Sequence, residues 1–87
     1  MQDLFIKSIT QKDLIYEFIK SRGRVPTHEL ILFGVNNYIN NAKERARDLK
    51  KEGKVWRIRE DLRKIFYPNS REEYWSIYPA DREVENG

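Results

Sequence analysis

The chain has 87 residues, which is enough for one compact domain with a small core, and two Trp, four Phe and five Tyr supply most of the apolar area available to it. It has no cysteine, which excludes a disulfide framework and thiolate metal sites, and no apolar run nears the ~20 residues of a membrane span. Net charge is only +3, but residues 43–64 hold ten Lys/Arg against five Asp/Glu, and the remainder holds seven against nine. A local excess of +5 is the electrostatic footprint of a nucleic-acid partner, or else an ordinary solvated surface.

Residues 1–9 contain Leu4, Phe5, Ile6 and Ile9, too apolar for a free tail. They are expected to pack on the domain or to form a contact with a second copy or another protein. Met1 to Ile6 lacks the basic start and long apolar run of a signal peptide, so the expectation is a cytoplasmic protein without membrane contact. Thr10-Gln11-Lys12-Asp13 is a capping box with Asp in place of Glu and opens the first helix. Leu14, Ile15, Phe18 and Ile19 form its buried face, and Gly23 ends it. Arg24-Val25-Pro26 is extended, because the residue before a proline avoids helical angles.

Thr27 is expected to cap a short second helix with Leu30, Ile31 and Phe33 as its apolar residues, closed by Gly34. Val35-Asn36-Asn37 follows as a turn. The third helix is expected over 38–52. Ile39, Ala42, Ala46 and Leu49 make its apolar stripe, and Gly53 suits the left-handed position that ends helices. Its opposite face carries Asn40, Asn41, Glu44, Arg47, Asp48 and Lys51.

After Gly53 the period changes to two. Trp56 and Ile58 alternate with Val55, Arg57 and Arg59; Trp75 and Ile77 alternate with Tyr74, Ser76 and Tyr78. Two antiparallel strands are expected, with both tryptophans on the core face. The insert 59–73 between them contains Leu62, Ile65, Phe66 and Tyr67, and would form a helical turn, extend the strands, or fold back on the sheet. Residues 80–87 read as a flexible acidic tail, which leaves 1–79 as the domain.

Catalytic and metal chemistry find no support in this pattern. His28 is the single histidine and has no partner at ligand or catalytic spacing. Glu60-Asp61 and Glu72-Glu73 are neighbouring acids in loops, and the four glycines are scattered rather than grouped into a phosphate loop. The reading is a protein that is no enzyme, with no cofactor and no metal.

Gly23-Arg24-Val25-Pro26-Thr27, Glu29-Leu30-Ile31, Gly34, Ala42, Arg45-Ala46-Arg47-Asp48-Leu49 and Gly53-Lys54-Val55 together resemble a winged helix-turn-helix domain. The features shared with that family are a Thr before helix two, an Arg-rich third helix, and a Leu four residues before the Gly that leads into the first wing strand. The likeness spans about residues 10 to 78. It departs from the family in a turn about two residues longer after Gly34 and in a long, partly apolar wing. The resemblance implies an α+β, mainly α fold of three helices plus a two- or three-stranded antiparallel β wing. It also implies a small regulator of transcription, or a phage or mobile-element accessory factor. Such a protein binds double-stranded DNA with the third helix in the major groove and the wing on the backbone.

By chemistry, Asn40, Asn41 and Arg47 are the candidates for base edges. The phosphate candidates are Asn36, Asn37, Lys43, Arg45, Lys50, Lys51, Arg57, Arg59, Arg63 and Lys64. Asn36 and Asn37 enter that set because they are expected near the positive start of helix three. Glu44 and Asp48 sit on the same face. They would either steer Arg47 and Lys51 or keep DNA away, and the latter case leaves a winged-helix module for protein–protein contact through Leu4, Phe5, Ile6 or the wing insert.

Overall fold

The computed structural model describes residues 10–83. They form an α+β fold, mainly helical, in the order α1 (Gln11–Arg22), β1 (Arg24–Pro26), α2 (Thr27–Asn36), α3 (Ala42–Lys51), β2 (Trp56–Arg57), α4 (Glu60–Phe66) and β3 (Tyr74–Ser76), followed by a 3-10 turn, Pro79–Asp81. The strands make an antiparallel sheet in the order β1-β3-β2. No helix among the described residues is long and apolar enough to cross a membrane. The segment Leu4-Phe5-Ile6 lies outside the described residues.

Helix α1 begins at the capping box. Thr10 Oγ1 accepts from the Asp13 N–H at 3.0 Å, and Asp13 Oδ2 accepts from the Thr10 N–H at 3.4 Å. Ile15 and Ile19 are fully buried against Ala42, Ala46 and Leu49 of α3, where alanines let the helices approach closely. Gly23 adopts φ +81°, and a Cβ there would stand 2.8 Å from the Tyr78 hydroxyl. The backbone angle requires glycine, and a side chain there would also displace the Tyr78 ring.

Three expectations about α2 and α3 need correction. Thr27 is the first residue of α2, not its cap: its N–H and Oγ1 both donate to the Glu73 carbonyl, at 3.0 and 2.8 Å, and tie the helix to the approach of β3. Gly34 does not close α2, which runs on to Asn36. Its missing side chain serves packing, because a Cβ there would be 2.8 Å from Ala42 Cβ.

The third helix starts at Ala42, not Tyr38. Tyr38 and Asn41 adopt φ of +58° and +56°, left-handed angles that stop a helix from propagating through them. Between them the Ile39 N–H reaches back to the Gly34 carbonyl at 2.7 Å, and the Ile39 side chain enters the core. Ile39 therefore completes the apolar stripe in space while belonging to a turn. At the other end Gly53, at φ +76°, ends α3 as expected, with the Lys54 N–H on the Leu49 carbonyl at 2.9 Å.

Register divides the sheet into two faces. Val25, Trp75 and Arg57 are cross-strand partners and share the face toward the three helices, where Val25, Val55 and Trp75 join the core. Arg24, Ser76 and Trp56 share the opposite face. The two tryptophans thus point to opposite sides: Trp75 is fully buried, and Trp56 is half-buried away from the helices. A one-residue difference in register is enough to separate them.

The insert folds back. Its helix α4 leads into Tyr67, which stacks on Tyr74 at 4.0 Å, and the Arg24 guanidinium lies between Phe66 at 4.5 Å and Tyr78 at 4.8 Å. The expected tail 80–87 is corrected over its first part. Asp81 is buried, receiving Arg24 Nε and Ser76 Oγ, each at 2.7 Å, and Ile58 pairs with Arg82. This makes β3 buried on both faces and extends the folded unit to Glu83; residues 84–87 lie outside the described residues.

Candidate nucleic-acid interface

A hollow of about 310 Å³ lies between the last turns of α3 and strand β2, lined by Arg47, Lys50, Lys51, Arg57 and Trp75. Helical spacing places the first three there: 47, 50 and 51 stand three and four residues apart on one side of α3. Arg57 arrives from β2 because it is paired with Trp75 and therefore faces the helices. Trp75 is fully exhausted of solvent contact in the core, and its indole N–H has no acceptor among the described residues.

The four cations are not equivalent. Arg57 is committed to carboxylates, with Nη1 2.6 Å from Glu73 Oε2 and Nε 3.4 Å from Glu83 Oε1. Arg47 forms an ion pair with Glu44, three residues earlier on the exposed face. Lys50 and Lys51 have no carboxylate within 4.0 Å among the described residues, so their charge is available to an anion. Lys43 on the same helix is likewise unpaired among the described residues.

Asn40 and Asn41 are exposed in the turn before α3, and neither amide makes a hydrogen bond among the described residues. Both precede the helix rather than ride on its outward face. Asn36 and Asn37 are placed differently from expectation. They stand at the C-terminal end of α2, where the helix dipole is negative, and Asn37 Nδ2 caps that end by donating to the Phe33 carbonyl at 2.9 Å. Neither residue stands at a positive helix start that would favour phosphate.

Arg45 is half-buried beside the apolar stripe, 3.6 Å from Asp48, and serves the helix surface. Arg59, Arg63 and Lys64 belong to α4 or its approach, and none of them lines the hollow. Arg59 pairs with Asp61 at 3.3 Å, Lys64 with Glu60 at 3.6 Å, and Arg63 donates to the Ser70 carbonyl and closes the loop into β3. These three are not brought together with Lys50 and Lys51.

Two further carboxylates link elements of the fold. Lys12 bonds Glu52 just beyond α3; that hydrogen bond holds the Glu52 carboxyl below the usual carboxylate range. Glu72 accepts from both the backbone N–H of His28 at 2.9 Å and its ring Nδ1 at 2.6 Å. Burial pushes the Glu72 carboxyl up, but the two bonds outweigh it and hold it below the usual range. His28 is thus an exposed partner of a carboxylate, and no group of three or more metal-ligating side chains occurs among the described residues.

Sequence reasoning missed Trp75 as a wall of the hollow, because that depends on which strand face it occupies. It also missed the Arg24–Asp81 pair, whose members are 57 residues apart and carry no local signal. Searches against protein-family models, curated proteins and solved structures returned no match.

Proposed function

We propose that the chain is a winged helix-turn-helix module that binds duplex DNA, with α3 in the major groove and the β2–α4–β3 wing beside the backbone. The order of elements, α1–β1–α2–α3 followed by two antiparallel strands, supports the architecture. The observation that carries the function is the hollow between α3 and β2, where Lys50 and Lys51 present charge unmatched by any described carboxylate.

In this reading a phosphate oxygen accepts from Lys50 and Lys51 and fixes the register of the helix on the duplex. The unbonded amides of Asn40 and Asn41 stand at the leading end of α3, where an amide is suited to adenine N6 and N7. Arg47 reads guanine once it exchanges Glu44 for the base edge, and Glu44 then serves as the gate on that contact. The module performs no chemistry on its ligand. Its contribution is to transcription regulation or to handling of a mobile DNA element.

Fluorescence anisotropy with a mixed-sequence duplex at several salt concentrations tests the reading. Binding releases counterions, so log K falls linearly with log salt, by about 0.9 per phosphate contact. Lys50→Ala with Lys51→Ala is expected to reduce that slope by about 1.8, whereas Lys20→Ala, exposed on α1, leaves it unchanged. Absence of binding at low salt, or a slope indifferent to the double substitution, would refute the assignment.

A further inference from the structure

Helix α2 turns apolar side chains outward. Ile31 is 47% exposed, Leu32 56%, Val35 66%, and Tyr38, in the turn just beyond, 91%. On a helix, positions 31, 32 and 35 lie on one side, and Tyr38 is exposed in the turn that follows. Together they expose on the order of 500 Å², comparable to the largest apolar patch on a typical monomer.

Beside this ridge lies a hollow of about 510 Å³, lined by Phe18, Arg22, His28, Glu29, Leu32, Phe33 and Asn36. Its apolar wall is the stacked pair Phe18–Phe33, with ring centroids 4.2 Å apart. Leu32 belongs to both ridge and hollow. The polar groups on its rim are already partnered within the chain: Arg22 Nη1 is 2.8 Å from Glu29 Oε1, and His28 Nδ1 is 2.6 Å from Glu72 Oε2.

We propose that this face is an interface between two copies of the chain, packed α2 against α2 about a two-fold axis near Val35. Three observations favour a second copy as occupant. A closed two-fold contact needs a self-complementary surface, and a ridge adjoining a hollow provides one: rotation sets the ridge of each copy into the hollow of the other. The ridge carries no charge, and Arg22 and Glu29 on the rim pair with each other, so identical surfaces meet with little like-charge repulsion. Complete burial of the ridge would remove at most roughly 1,000 Å² over two copies, and the walls of the hollow add to it, which brings the contact to the size a specific interface needs. No residue of the ridge or its hollow lines the Lys50–Lys51 hollow, so the dimer stands or falls independently of the DNA reading.

Sedimentation equilibrium of the full chain across micromolar to sub-millimolar concentration is the test, with Leu32→Glu plus Val35→Glu as the variant. Both positions are exposed, so folding is retained and is checked by helical circular dichroism. The mass is expected to rise from 10.5 kDa toward twice that value. In the variant, dissociation is expected to become at least about tenfold easier, as when charge enters the centre of an apolar interface. Because the chain has no cysteine, Val35→Cys reports the geometry directly: it forms an intermolecular disulfide on oxidation, and Glu17→Cys, exposed on α1, does so far more slowly. A monomer at every concentration overturns the proposal. A dimer unaffected by the double substitution overturns it as well.

Discussion

Replacing Asp81 by alanine removes the link between the sheet and the segment that follows it. The carboxylate is buried and accepts three hydrogen bonds: Arg24 Nε at 2.7 Å, Arg24 Nη2 at 3.3 Å and Ser76 Oγ at 2.7 Å. Ser76 is fully buried, and its hydroxyl also accepts the Tyr78 N–H at 2.9 Å. Without Asp81 the hydroxyl loses its acceptor, a loss of about 1–3 kcal/mol for a buried polar group. The bonds from Arg24 add about 1.5–3 kcal/mol. That figure is discounted because the Arg24 side chain is 31% exposed and water replaces part of the interaction. The expected loss is about 3 kcal/mol, a large fraction of the ~4–13 kcal/mol available to a domain of this size.

Urea unfolding followed by tryptophan fluorescence measures this loss, and the melting temperature is expected to fall by roughly 15 °C. Burial pushes the Asp81 carboxyl up, but the bonds from Arg24 and Ser76 outweigh it and hold it below its ordinary value. The contribution of the ionised group is therefore complete above pH ~4 and is lost as pH falls through the folded-state value. Asp81→Asn should show a smaller deficit at pH 7, and that deficit should shrink on acidification below pH 4. An alanine variant within about 1 kcal/mol of the parent would refute the assignment of Asp81 as a buried anchor.

Gly34→Ala is expected to destabilise the fold by about 2 kcal/mol, as overpacking between α2 and α3, because its Cβ would lie 2.8 Å from Ala42 Cβ and 3.2 Å from the Ile39 carbonyl. Adding Ala42→Gly should restore part of that loss in the same melt. Asn41→Ala should lose about 1 kcal/mol at φ +56°, whereas Asn41→Gly folds as well as the parent. If Asn41 reads a base, the glycine variant loses sequence preference in competition binding while keeping its salt slope.

The outline of the fold was legible in the sequence where the signals are local. The Thr10–Asp13 box, the stripe of Ala42, Ala46 and Leu49, and Gly53 lie within a few residues of what they organise. The coarse reading as α+β and mainly helical follows from them, and so does placing Lys50 and Lys51 together on α3. Ile39 shows how such a signal misleads. It stands at helical spacing from Ala42, yet it reaches the core from a turn set by two left-handed residues.

What lies beyond local spacing was decided by tertiary structure. Alternation marks strands but not which face meets the helices, and pairing Trp56 with Ser76 rather than with Trp75 sent the tryptophans to opposite sides. Asp81 reads as a tail residue until Arg24 and Ser76 are brought to it by the β1–β3 register. Ile31 reads as one of the apolar residues of helix two and Val35 as part of a turn; only the packing of α1 and α3 against the other side of α2 leaves Ile31, Leu32 and Val35 outward on that helix. That α1, α2 and α3 occur, where α1 starts and α3 ends, and where cations concentrate could all be read from the chain, because those depend on contacts within one or two turns. The tertiary structure alone decided which side chains share a face, since that depends on strand register and helix rotation between residues far apart.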